Sequence, residues 1–174
     1  MENTEKKQKK ALVLAGVPGS GKSTWVKNRL NSETDIHISR DNIRFSLLKD
    51  NQQYFEVENE VRDCFFRQIR NFTANDYPCE CVYIDATHLN PKSRKQVLGA
   101  IRGDTYKIAV SFDTPLELAL ERNAQRTGRA LVPDSVIHNM YHRYTKPILD
   151  EGFDEIWHIL PNEKIIVKEV HNNE

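Results

Sequence analysis

The sequence predicts an α/β domain with a mainly parallel sheet of about four to five strands, helices on both faces and an arginine-bearing lid. Three observations carry that prediction. Short apolar runs alternate with amphipathic stretches from residue 11 onward, the pattern of consecutive β-α units. The first apolar run leads without a gap into Gly16-Val17-Pro18-Gly19-Ser20-Gly21-Lys22-Ser23, a glycine-rich loop opening a helix. The length, 174 residues, fits one domain and is short for two.

Taken in order, the strands are expected at 11–16 (ALVLAG), 34–38, 80–85 (ECVYID), 106–112 (YKIAVSF) and 155–160 (EIWHIL). Helices are expected at 22–31 and 40–49. Tyr54, Val57, Val61, Cys64, Phe65, Ile69 and Phe72 recur at three-to-four spacing, predicting a longer helix over 52–73 whose aromatic stripe reads as core rather than as a base-stacking platform. Pro91 suits the first turn of a helix over 92–101, which Gly103 closes. Thr114 and Pro115 suit the cap and first turn of a helix over 114–124. The polar stretch QRTGRAL at 125–131 is expected to form the lid, within about residues 122–132, before a helix starting near Pro133. IIV at 165–167 is a candidate edge strand. Lys6, Lys7, Lys9 and Lys10 fall in a basic segment, 1–10, expected to be a disordered, solvated tail ahead of a single domain over 11–174.

Composition limits the function classes. Lys plus Arg and Asp plus Glu both number 25, giving zero net charge. Any nucleic-acid contact must therefore be a local group of arginines rather than a basic field. Cys64, Cys79 and Cys81 lack paired metal-ligand spacing and read as inert thiols in a reducing, cytoplasmic setting. The apolar run after the basic segment is too short for a membrane span. Self-association is left open.

The loop Gly16–Ser23 supplies the clearest chemistry. Gly16, Pro18, Gly19, Ser20, Gly21 and Thr24 belong to a turn whose backbone N–H groups cradle phosphates. Lys22 reaches the β and γ oxygens, and the Ser23 hydroxyl takes a ligand position on Mg2+, so ATP with Mg2+ is the expected cofactor pair. Asp85 closes the strand CVYID, where a carboxylate near the metal is expected.

The stretch DIHISRDNIR at 35–44 poses a choice. Ser39 or Asp41 could simply cap the next helix, leaving Arg40 and Arg44 solvated. Alternatively, Asp41 and Arg44, one turn apart, face a cleft beyond the carboxyl ends of the strands. There a carboxylate can accept the proton of an attacking hydroxyl while the arginines hold an anion on the acceptor. Arg44 does not complete a capping box, which would place Glu or Gln there.

GVPGSGKSTW, SRDNIR, IDATHLNP and ERNAQR followed by VP, in this order, resemble the kinase domain of phage-type polynucleotide 5′-hydroxyl kinases over about residues 11 to 145. The resemblance implies that Lys22 and Ser23 bind ATP and Mg2+, that Asp41 is the general base, and that Arg44 holds the phosphate next to the acceptor's terminal nucleoside. It also implies that Asp85 supports the site and that Arg126 is the lid arginine on the donor phosphates. RTGRALVP runs one residue longer than the family pattern, so Arg129 and Arg122 stand beside Arg126 as candidates. The D-x-D-G-T phosphatase signature of bifunctional relatives does not occur in the sequence, so removal of 3′-phosphates is not predicted. The expected partners are DNA or RNA 5′-hydroxyl ends. Two alternatives stand beside that reading: a P-loop kinase of a sugar, nucleotide sugar or aminoacyl group, and an ATP-dependent switch that transfers nothing.

Overall fold

A computed structural model describes residues 8–162 and 165–170. Strand β1 (Lys10–Ala15) lies between β3 (Cys81–Asp85) and β4 (Tyr106–Phe112). Outside these pairs run β2 (Asp35–Ser39), next to β3, and β5 (Glu155–Ile159), next to β4. All of these neighbours pair in parallel. A sixth strand, β6 (Ile165–Val170), runs antiparallel along β5 and confirms the edge strand expected at 165–167.

A central parallel strand is covered on both faces, and β1 shows why KALVLA suits that place. Its period of two sends Ala11 and Val13 into one core and Leu12 and Leu14 into the other. The first core is closed by α3 (Glu58–Thr73) and α4 (Pro91–Ala100), through Val61, Phe65, Ile69 and Val97. The second is closed by α1 (Lys22–Lys27), whose Trp25 meets Tyr83, Phe112 and Trp157 edge-on. The remaining helices are α2 (Arg40–Leu47), α5 (Leu116–Ala124) and α6 (Asp134–Arg143). No helix among the described residues is long and apolar enough to cross a membrane.

Several boundaries differ from expectation for local reasons. The first helix ends at Lys27 rather than 31, because Asn31 and Asp35 fold the chain into side-chain-bonded turns, with Asn31 N–H on Asp35 Oδ2 and Glu33 N–H on Asn31 Oδ1. The long helix begins at Glu58, not 52. Residues before it are held by glutamine and glutamate side chains capturing backbone N–H groups, Lys49 N–H on Gln52 and Gln53 N–H on Glu56, a competition that favours turns over helix. Tyr54 therefore leaves the helical stripe, and its neighbour Phe55 is 74% exposed. The reading of that stripe as core holds for Val57, Val61, Phe65 and Ile69, and Tyr54, Cys64 and Phe72 pack partly buried against it. Thr114 does not cap α5; its hydroxyl donates to Ser20 O instead.

The tail expected over 1–10 lies outside the described residues for 1–7. Lys9 and Lys10 are not part of a solvated tail. Lys10 begins β1, and the Lys9 amine donates to the carbonyls of Phe72, Ala74 and Tyr77 at the end of α3. All three cysteines are free thiols, and burial, with Asp35 nearby, pushes the Cys81 thiol up to about 11, which keeps it protonated and unreactive at neutral pH.

Candidate active site

Three strands end at one place. Gly16 follows β1, Arg40 follows β2 and Asp85 closes β3, so these residues lie at the carboxyl edge of the sheet, where ligands of such sheets bind. Gly19 and Gly21 adopt left-handed φ angles of 81° and 97°. A Cβ on Gly19 would meet Ala119 O at 2.2 Å, so this glycine is fixed by the close approach of α5 as well as by the turn. Thr114 ties the same loop to the strand behind it.

Lys22 is buried, and its amine donates to Gly16 O and Val17 O at 2.8 Å each and to Ser20 Oγ at 3.2 Å. Burial lowers its pKa to about 8, against the opposing pull of Asp85 and Asp41. Ser23 Oγ donates to Asp85 Oδ2 at 2.7 Å, and His37 Nε2 lies 3.1 Å from the same oxygen. Burial works against the Asp85 carboxylate, but hydrogen bonds from His37 and Ser23 and the Lys22 charge prevail and hold its pKa below the usual range. A hydroxyl and an ionised carboxylate in contact form a hard oxygen pair, which fits a magnesium ion that keeps most of its remaining ligands as water and phosphate.

The choice posed by DIHISRDNIR has a structural answer. Ser39 caps α2, its Oγ accepting from Asn42 N–H at 3.3 Å, so Asp41 is released from that duty. Its side chain is 63% exposed, yet Asp41 lies near enough to Lys22 to raise that amine's pKa. Asp41 Oδ1 accepts from Arg44 Nη1 at 2.9 Å and from the Tyr54 hydroxyl at 3.1 Å. Both bonds fall on one oxygen, Oδ1.

Arg44 is buried. It donates to Tyr54 Oη at 2.9 Å and to Glu58 Oε2 at 2.5 Å, and its guanidinium stacks 4.4 Å from the Tyr54 ring centre. Arg40 bonds the other oxygen of Glu58. Burial acts against the Glu58 carboxylate, but the two arginines outweigh it and lower its pKa. Burial, joined by the Asp41 charge, raises the Tyr54 phenol, so Tyr54 keeps the proton it donates. The Nε atoms of Arg40 and Arg44 are buried with no partner among the described residues.

The lid arginines part company. Arg122 and Arg126 line a cleft of about 330 Å³ together with Gly19, Gly21, Thr24, Phe112 and Pro161, and Arg126 is close enough to help lower the Lys22 pKa. Arg129 is not brought to the cradle. Its Nη2 donates to Lys49 O and Asp50 O, on the loop between α2 and α3.

Sequence reasoning missed several residues. Tyr54 belongs to the apolar repeat by its spacing, and Glu58 has no pattern that singles it out. Asn123 is fully buried and clamps the lid's two ends, its amide donating to Val132 O and accepting from Val132 N–H. Arg94, also fully buried, makes a two-pronged bond to Glu151 at 2.6 and 2.7 Å and reaches His88 O and Thr145 O. His88 donates from Nδ1 to Leu14 O at 2.6 Å, and burial lowers its pKa to about 4. These partners are distant in the chain, so no local pattern marks them.

Comparison with known proteins fits this geometry. The profile of a family described as an AAA domain, AAA_33, matches residues 12–147. An L-seryl-tRNA(Sec) kinase of Methanococcus maripaludis is 27% identical over 139 residues, 78% of this chain and 52% of that protein. A protein of Autographa californica nuclear polyhedrosis virus, provisionally named a bifunctional polynucleotide kinase/RNA ligase, is 28% identical over 149 residues, 79% of this chain and 21% of that protein. The chain thus spans about half the length of the first and about a fifth of the second. A chain of the Pnkp1/Rnl/Hen1 RNA repair complex superposes with a TM-score of 0.64 at 20% identity, over 82% of this chain and 46% of that one, a likeness of fold.

Proposed function

The chain belongs to the AAA_33 family of AAA domains, and from that premise we propose that it is a P-loop kinase moving the γ-phosphate of ATP to the 5′-hydroxyl of a DNA or RNA end. The observation that carries the reading is the group Asp41, Arg44, Tyr54 and Glu58, set beside a phosphate cradle. A switch protein needs the cradle alone. A carboxylate held on one oxygen and open on the other, next to a braced arginine, suits an acceptor that carries both a hydroxyl and a phosphate.

In this reading Asp41 Oδ2 accepts the proton of the 5′-hydroxyl as the oxygen attacks the γ-phosphorus and the bond from that phosphorus to the β,γ-bridging oxygen breaks, so that ADP leaves. Arg44, with Arg40 beside it, holds the phosphate next to the terminal nucleoside. Lys22 turns from Gly16 O and Val17 O to the donor phosphates, and Arg126 adds positive charge from the lid. Mg2+ held at Ser23 and Asp85 would neutralise charge on the β and γ oxygens. Most of the rate then comes from positioning and preorganised charge. Tyr54 acts through Asp41 and Arg44. Tyr54→Phe removes its two hydrogen bonds but keeps the ring under the guanidinium, so kcat is expected to fall about five- to ten-fold, at about 1 kcal/mol for a net hydrogen bond, with the KM for ATP unchanged. An unaltered kcat in steady-state assays would show that Arg44 alone orients the base.

The similarity to an L-seryl-tRNA(Sec) kinase supports a second reading, in which the acceptor hydroxyl belongs to a seryl group carried on tRNA. One experiment separates the two: transfer of labelled γ-phosphate from ATP with magnesium to a 5′-hydroxyl DNA oligonucleotide, its RNA counterpart, a nucleoside 3′-monophosphate, seryl-tRNA and free sugars, in parallel. Label on the oligonucleotides and the 3′-monophosphate is the expected result. Label on seryl-tRNA alone would replace the first reading with the second, and label only as free phosphate would remove both.

A further inference from the structure

Next to Arg44 the surface carries aromatic rings that the fold does not need. Phe55 is 74% exposed and Phe45 36%. Both meet the Tyr54 ring edge-on, with centroids 5.0 and 6.4 Å away, and Tyr54 is the residue that lies under the Arg44 guanidinium and bonds Asp41. The rings are thus continuous with the acceptor end of the site. Phe45 lies on α2 and Phe55 on the loop that follows it, the loop whose Lys49 O and Asp50 O accept from Arg129 Nη2. An exposed Phe costs solubility and adds nothing to the core, so its place here calls for a ligand with an apolar face.

We propose that Phe55, backed by Tyr54 and flanked by Phe45, is a stacking platform for an unpaired nucleobase of the acceptor strand. The inference rests on the 5′-kinase reading and deepens it. A strand whose hydroxyl lies at Asp41 and whose first internucleotide phosphate lies at Arg44 has its bases within one nucleotide of these rings. Stacking on an aromatic face is tolerant of sequence and favours single strands, because a paired base is already stacked on its neighbours. A sugar or an aminoacyl group offers no such face. The platform therefore selects for frayed or single-stranded 5′ ends over blunt duplex ends.

The test compares the parent protein with Phe55→Ala, Phe55→Leu and Phe55→Trp. It uses single-stranded 5′-hydroxyl oligonucleotides with normal bases, with an abasic residue at the first or second position, and with 2-aminopurine at those positions. The expected result is an increase in acceptor KM of about ten-fold for Ala and Leu, near-parent behaviour for Trp, and an unchanged KM for ATP. One abasic substrate should show no further loss in Phe55→Ala. In binding assays without ATP, 2-aminopurine at that same position should be quenched by the parent and by Trp but not by Leu, which separates stacking from apolar packing. If the parent phosphorylates the strand and all four proteins share one KM and one quenching curve, the platform is wrong while the kinase reading stands. If the parent neither labels nor quenches any strand, both fall. A concentration-dependent dimer lost in Phe55→Ala, with KM unchanged, would assign the ring to a contact between copies and overturn the proposal.

Discussion

Asp41→Asn is expected to slow phosphate transfer to a 5′-hydroxyl by about two to three orders of magnitude, while ATP binding and the melting temperature stay at their parent values. The substitution preserves shape. The amide oxygen can still accept from Arg44 Nη1 and the Tyr54 hydroxyl, which both bond Oδ1 in the parent. What changes is the other terminus, where an NH2 group replaces Oδ2 and cannot take up a proton. Stability is spared because the side chain is largely in water, and Arg44 retains Glu58 as its principal partner. Single-turnover rates with saturating ATP and acceptor isolate the chemical step from binding. A loss smaller than ten-fold would remove Asp41 as the base and leave it as a clamp for Arg44. A large loss accompanied by a matching rise in acceptor KM would point to the same clamp role, because a base acts in the transition state and a clamp acts on bound substrate too.

How much of this was legible beforehand depended on how local each cause is. The cradle was, because its glycines, Lys22 and Ser23 are consecutive and each is required by the same turn. The helix cap at Ser39 and the site residues Asp41 and Arg44 were partly so. Both readings of DIHISRDNIR were physically sound; the cap falls to Ser39, but the arginines are not left solvated, since Arg44 is buried and both Arg40 and Arg44 bond Glu58. Glu58 was not legible, since it meets Arg40 and Arg44 from the first turn of a helix that the apolar spacing placed six residues too early. The loop before it is fixed by Gln52 and Glu56 reaching backbone N–H groups, a side-chain choice that periodicity does not register. Arg129 shows the converse error. A run of lid arginines suggests a shared target, but the short 3-10 turn Gly128–Ala130 carries this one to the loop between α2 and α3.

Lys22→Met is expected to raise the melting temperature of the nucleotide-free protein while abolishing tight ATP binding. In the empty site the Lys22 amine sits at a pKa of about 8 instead of 10.5, chiefly because it is buried. At about 1.4 kcal/mol per pH unit, keeping it charged costs the folded state about 3.5 kcal/mol. Its bonds to Gly16 O and Val17 O offset part of that cost, and Met forfeits them, so a net gain of about 1–2 kcal/mol is expected. The sign with pH follows from the depressed value. Below pH 8 both folded and unfolded chains hold the proton and the folded state bears the whole cost. Between about 8 and 10.5 the unfolded chain binds more protons, so parent stability rises with pH relative to Lys22→Met. A bound polyphosphate reverses the preference, since it favours the ammonium. ATP binding above pH 8 must then take up a proton, and affinity is expected to fall by up to ten-fold per pH unit. Calorimetric titration of ATP in two buffers of different ionisation enthalpy reads that proton directly, and thermal melts from pH 7 to 10 read the stability arm. A Lys22→Met protein that melts below the parent at pH 7 would mean that the amine braces the loop more than burial penalises it. The loop would then be held in shape by the residue that must leave its bonds to bind phosphate.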